Sequence, residues 1–109
     1  MDVSSLNELA TNLLDKARTS SAGRAAQTVH GGQKHQLRQT VIAIAADNVL
    51  AEHDSPGEAT ILVLTGRVKL ESVSGSVEGG VGDFMLIPPE RHSLAAPEDA
   101  AVLLTVVVQ

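Results

Sequence analysis

The side chains in this sequence with the widest chemical reach are its four histidines, His30, His35, His53 and His92. Cysteine is absent, which removes thiolate metal sites, disulfides and cysteine nucleophiles at once. His53 and His92 each fall on a strand-like run, about forty residues apart, where a closed barrel could bring them together. Imidazole is the commonest metal ligand near neutral pH, so the pair is the first candidate for a divalent metal site. Two imidazoles alone make a weak, open site, because a catalytic metal normally keeps three protein ligands. His35, Gln39 and Glu58 are the candidates for completing it. His35 and Gln39 share strand parity. Glu58 adjoins Ala59 and by strict alternation points to the opposite face, unless the preceding Pro56-Gly57 turn breaks the alternation. Two histidines with one carboxylate suit iron(II); three histidines suit zinc, copper or nickel. The plainer alternative makes His53 and His92 cavity residues bonded to each other or to water. It also leaves His30 and His35 exposed beside the Gly31-Gly32 turn and Gln39 on the barrel wall.

Other chemistries have little support. There is no Gly-x-Ser-x-Gly elbow and no base beside a nucleophile. Gly79-Gly80-Val81-Gly82 lacks the Lys-Ser/Thr and helix of a phosphate loop and reads as a strand turn. Ser55 could orient a ligand, though before Pro56 a local turn bond is the simpler role; Asp83 after Gly82 reads as a turn residue bonding amides. Arg67 at a strand start faces solvent or pairs with Glu71 or another carboxylate. The net charge is −5, with residues 1–38 carrying five Lys/Arg against three Asp/Glu and residues 39–109 three against ten. Such an acidic body argues against nucleic-acid binding, which needs clustered cations. Phe84 is the only aromatic residue, so a pocket here cannot stack a base or a flavin; it would be aliphatic, with a few polar groups for orientation.

The elements that must position these residues are an opening helix and a series of short strands. Ser5 and Glu8 have the spacing of a capping box, and Leu6, Leu9, Ala10, Leu13, Leu14 and Ala17 form one apolar stripe. The stripe must cover the outside of a barrel or a second subunit. The helix is expected over about 5–18, fading at Thr19–Gly23, and the strand region over about 25–109. Strands are expected over 26–30, 36–46, 49–53, 59–65, 67–73, 77–78, 84–87, 92–95 and 101–108, with turns between them. One domain of 109 residues is implied, an all-β sandwich or barrel. No apolar run approaches the roughly 20 residues of a membrane span, and Met1–Ser5 does not resemble a secretory leader. The expectation is a cytoplasmic protein without membrane or nucleic-acid partners.

Two segments carry a family resemblance. The first runs from Leu50 to Val68 and contains His53, Pro56-Gly57-Glu58-Ala59-Thr60 and Val63-Leu64-Thr65-Gly66-Arg67-Val68; the second is Gly82-Asp83-Phe84-Met85-Leu86-Ile87-Pro88-Pro89-Glu90-Arg91-His92. Together they resemble the two motifs of the cupins, the RmlC-like jelly-roll superfamily, over roughly residues 36–108. The whole chain looks closest to stand-alone single-domain cupins of unassigned function. The resemblance implies a double-stranded β-helix, an all-β jelly-roll barrel with one short N-terminal α-helix, and a site at His53 and His92. It also exposes departures. Cupins bind a divalent metal through three histidines and one carboxylate. Aligned on Gly66, Ser55 stands at the second histidine position and Ala59 at the glutamate position, and the asparagine that closes the second motif would fall near Ala96.

Three functions follow from this reading. The leading one is binding of a small molecule or divalent metal (Fe, Ni, Cu or Zn) in an aliphatic barrel cavity with a degenerate metal site. The second is a metal-dependent enzyme, a dioxygenase or isomerase, using His53 and His92. The third is a sensing module acting with a separate partner chain. The apolar helical stripe and the Val-rich final strand suggest a homodimer.

Overall fold

The computed structural model describes residues 1–53 and 57–108, the side chains of residues 52 and 53 excepted. One helix, α1 (Leu6–Thr19), precedes nine strands: β1 (Arg24–His30), β2 (Leu37–Ile44), β3 (Val49–His53), β4 (Gly57–Thr65), β5 (Arg67–Ser72), β6 (Gly75–Gly80), β7 (Phe84–Leu86), β8 (His92–Ala95) and β9 (Ala100–Val108). All pairings are antiparallel. A five-stranded sheet has the order β1-β2-β9-β4-β7, and a four-stranded sheet the order β3-β8-β5-β6.

The inner faces of the two sheets meet in a core of Ile44, Ile61, Val63, Val68, Leu70, Met85, Leu94 and Val102. Phe84, the sole aromatic, is exposed, so the core is aliphatic with Met85 as its thioether. The outer face of the five-stranded sheet packs on α1. Ala10, Leu13, Leu14 and Ala17 lie on Val41, Ala43 and Ala101, and the small residues on both sides let helix and sheet approach closely. Each fully buried Leu here contributes about 1.5–3 kcal/mol of transfer free energy. Ser5 caps the helix by accepting from the Glu8 N–H at 3.2 Å. Strand β9 runs between β2 and β4; Ala100–Val102 and Val106 are buried and the rest partly covered, in keeping with its nearly unbroken apolar run. The two features that suggest a homodimer, the helical stripe and this strand, are thus both used within the chain.

Two boundary differences have physical causes. Strand β6 continues through Gly79 and Gly80, where the glycines suggest a turn. A Cβ on Gly79 would sit 3.0 Å from the Met85 sulfur, so the glycine marks a close approach between β6 and β7 rather than a break. At the other end, β2 stops at Ile44. The Ala45 N–H donates instead to the Gly23 carbonyl, and the Ala46 N–H to the Asp99 carboxylate, tying the helix-to-barrel corner to the β8–β9 turn. Glu71 pairs with Lys69 at 3.2 Å rather than with Arg67. Asp83 accepts from the Gly80 N–H at 2.8 Å, as a turn residue should. Among the described residues, no helix is long and apolar enough to cross a membrane.

Candidate functional site

Strand β8 brings His92 to the inner face. It is 3% exposed, the one buried polar side chain among the described residues. Its Nδ1 lies 2.9 Å from the Glu90 carbonyl oxygen. A carbonyl can only accept, so Nδ1 carries the proton, and in the neutral ring Nε2 carries the lone pair. Anchoring one ring nitrogen on a carbonyl is also how proteins orient a metal-binding histidine.

The ladders on either side of β8 place specific residues beside His92. On β5 the facing residue is Ser72. On β3 it is His53, through an irregularity. Val49 and Leu50 face Ala95 and Leu94, but the register shifts by one residue before His53 meets His92. Without that shift the residue opposite His92 would be Glu52. A one-residue shift of this kind is a β-bulge, a device that re-aims residues at functional edges. The backbone pairing of His53 with His92 is therefore set by tertiary structure. The His53 side chain and Ser55 lie outside the described residues.

The other expected ligands are placed elsewhere. Gln39 shares parity with Val41 and Ala43, which pack under α1; its Nε2 donates to Thr105 Oγ1 at 3.2 Å on the outer face of the five-stranded sheet. Glu58 is exposed on that same outer face, while its neighbour Ala59 is buried inward. His35 sits in the turn before β2, its ring edge-on to His30 with centroids 4.8 Å apart. Alternation thus directs Gln39 and Glu58 away from the face that carries His92, and His35 packs with His30. Among the described residues, no three His, Cys, Asp or Glu side chains come together as a metal-binding group. Ala59, at the position where the resemblance expects a carboxylate, is buried and brings only a methyl group.

A polar cluster next to His92 has no counterpart in the sequence reading. Glu90, half-buried, accepts from Ser72 Oγ at 2.7 Å. Hydrogen bonds from Ser74 and then Ser72 hold its carboxyl below the usual glutamate range, against the opposing effect of desolvation. The Ser74 N–H donates in turn to Ser72 Oγ at 3.2 Å. These partners lie on the β5–β6 hairpin, far from Glu90 in sequence, and the only local hint is a carboxylate between Pro89 and the histidine strand.

The middle of the barrel is filled by Ile44, Val63, Val68 and Val102, each under 2% exposed. Space for a ligand opens at the rim. A cleft of about 280 Å³ lies between the β5–β6 hairpin and the end of β7, lined by Leu70, Ser72, Ser74, Gly75, Ser76, Val77, Leu86 and Pro88. A second, of about 440 Å³, lies across Pro88 and is lined by Glu58, Ala59, Thr60, Leu86, Ile87, Pro88 and Pro89. The first adjoins the Ser72–Glu90–His92 group; it combines apolar walls with a few placed polar groups, the usual make-up of a small-molecule site.

No protein-family model matches the sequence, and no curated protein is significantly similar to it. Solved structures are similar. A conserved Streptococcus pyogenes protein of unknown function superposes with a TM-score of 0.73 at 24% identity, over 83% of this chain and 78% of that one. A cupin-superfamily protein of Desulfitobacterium hafniense gives 0.72 at 13% identity over 79% and 78%. An RmlC-like cupin from Desulfovibrio desulfuricans gives 0.67 at 22% identity over 77% and 81%. The chain has the cupin fold, an all-β jelly roll with one N-terminal helix.

Proposed function

Starting from the cupin fold, we propose that this protein binds a small molecule at the barrel rim, in the cleft beside Ser72, Ser74, Glu90 and His92. The observation that carries the reading is the joint placement of an oriented, buried imidazole and a serine-held carboxylate next to an apolar cleft of about 280 Å³. Binding rather than turnover is the activity proposed. The test is a titration of isotope-labelled protein with small neutral, cationic and anionic amphiphiles, followed by amide shifts. Perturbations should concentrate on residues 70–77 and 86–92. Perturbations centred on α1, or none with any compound, would refute the reading.

A second reading has its own support in the facing of His53 and His92 and in the carbonyl anchor on His92 Nδ1. It makes these two imidazoles a labile site for a divalent ion of the iron–zinc series, with no third His, Cys, Asp or Glu grouped with them among the described residues. Elemental analysis of untagged protein beside a His53→Ala/His92→Ala double variant tests it. Near one metal per chain, lost in the double variant, supports it. No metal in wild type after incubation with iron(II), nickel, copper or zinc rejects it.

A further inference from the structure

The chemistry of the rim cleft also restricts what can occupy it; this step rests on the ligand reading above. We infer that the cleft takes a small primary amine, its ammonium group against the Ser72–Ser74–Glu90 cluster and its alkyl body against Leu70, Val77 and Leu86.

Two of the three serines on the cleft, Ser72 and Ser74, direct their hydroxyl protons to the neighbouring Glu90. A carboxylate has no proton to give, so the 2.7 Å contact between Ser72 Oγ and Glu90 Oε1 commits the Ser72 hydroxyl proton to Glu90. Ser72 is left offering lone pairs, one of which takes the Ser74 N–H. The carboxylate has roughly four acceptor positions; the Ser72 and Ser74 hydroxyls and the Ser74 N–H occupy three, leaving about one for a further donor. Ion pairs among the described residues join Arg18 to Asp15 and Asp99, and Lys69 to Glu71; none brings a cation to Glu90. Residues 39–109 carry three Lys/Arg against ten Asp/Glu, so the surrounding field favours a cation and opposes an anion.

Apart from Gly75 and Ser76, the rest of the cleft is aliphatic. Val77 and Leu86 are 57% and 73% exposed, unusually open for large apolar side chains, and Leu70 closes the floor from the core. An alkyl chain of a few carbons fills about 280 Å³ and removes that surface from water. An ammonium brings three donors and a positive charge, and hydrogen bonds of that kind to a carboxylate are roughly twice as strong as neutral ones. A hydroxyl in its place brings one donor and no charge.

The experiment compares n-butylamine, n-butanol and butyrate, which share a stem, by amide shift titration at neutral pH against wild type and Glu90→Gln. In wild type the amine should bind about tenfold more tightly than the alcohol, with butyrate weakest. All shifts should map to Ser72, Ser74, Val77 and their neighbours. Glu90→Gln keeps the shape and removes the charge, so amine and alcohol affinities should converge. Raising the ionic strength with wild type should weaken the amine and leave the alcohol unchanged, a readout that needs no variant to fold. Alcohol or butyrate binding at these residues as tightly as the amine overturns the amine inference and leaves the ligand reading intact. Amine affinity indifferent to both Glu90→Gln and salt does the same. If none of the three shifts these residues, the cleft is not a ligand site and both conclusions fall.

Discussion

Replacing Asp99 with alanine should cost about 2 kcal/mol of unfolding free energy, because this one carboxylate ties three segments together. Its Oδ1 accepts the Ala46 N–H at 2.8 Å, and its Oδ2 accepts Arg18 Nε at 2.7 Å, so the end of α1, the end of β2 and the β8–β9 turn meet on it. A backbone N–H donated to a carboxylate contributes about 1.5–3 kcal/mol when sheltered. The Asp99 side chain is 35% exposed, which moves the expectation to the lower half of that range. The Arg18 arm is open to solvent and screened by salt, so it adds less. Asp99→Asn retains an acceptor for Ala46 and should lose clearly less than Asp99→Ala. Urea unfolding with an unchanged m value is the assay, with a thermal shift of roughly 6–10 °C for the alanine variant as a cross-check. The difference should largely survive high salt. The pH dependence has a definite sign. The Ala46 N–H first, and Arg18 second, lower the folded Asp99 carboxyl below its ordinary value near 3.8. The unfolded state therefore takes up the proton first. The contribution is present in full above pH ~4 and is lost as pH falls through the lowered folded value. Wild type and Asp99→Asn should converge in stability below that window. An Asp99→Ala variant within 0.5 kcal/mol of wild type, taken as roughly the size of an ordinary surface substitution, would refute the reasoning. So would equal losses for Asn and Ala, which would remove the leading role of the Ala46 bond.

Leu13, 3% exposed between α1 and the outer sheet face, should cost about 2–4 kcal/mol as Leu13→Ala, with hydrogen exchange rising first along α1. Gly66 has φ +73°, and a Cβ there would run into the Asp99 carbonyl, so Gly66→Ala should fold poorly or melt far below wild type by circular dichroism. His92→Leu leaves the Glu90 carbonyl without its ring donor and should cost about 1 kcal/mol in urea unfolding. The same variant should abolish any metal bound through His53 and His92, measured by elemental analysis.

Much of the fold was legible because its signals are local. The 3.6-residue stripe of Leu6 to Ala17, the Ser5 cap and the turn residues between strands are properties of a few adjacent residues, and β3 and β8 fall at the bounds their sequences imply. The run of apolar residues in β9 announces cover on both faces, though not which strands flank it. Gly79 misleads because a glycine that permits a turn and a glycine that permits the Met85 sulfur to approach are the same residue in sequence. The candidate site was legible only in part. His53 and His92 stand out by residue type and motif position, and strict alternation already sets Glu58 opposite Ala59.

What the sequence determined by itself is therefore the helix and the strand periods, which follow from periodicity and turn chemistry; the jelly-roll class came through the resemblance of its motifs, which also singled out His53 and His92 as candidates. Tertiary structure alone decided that a one-residue shift in β3 brings His53 opposite His92. It alone decided that Gln39 lies on the helix-side face with Thr105, and that Glu90 reaches back to Ser72 across eighteen residues of chain. These outcomes depend on which strands pair and in what register. Pairing is settled by the simultaneous burial of both sheet faces, to which every strand contributes and which no single segment encodes.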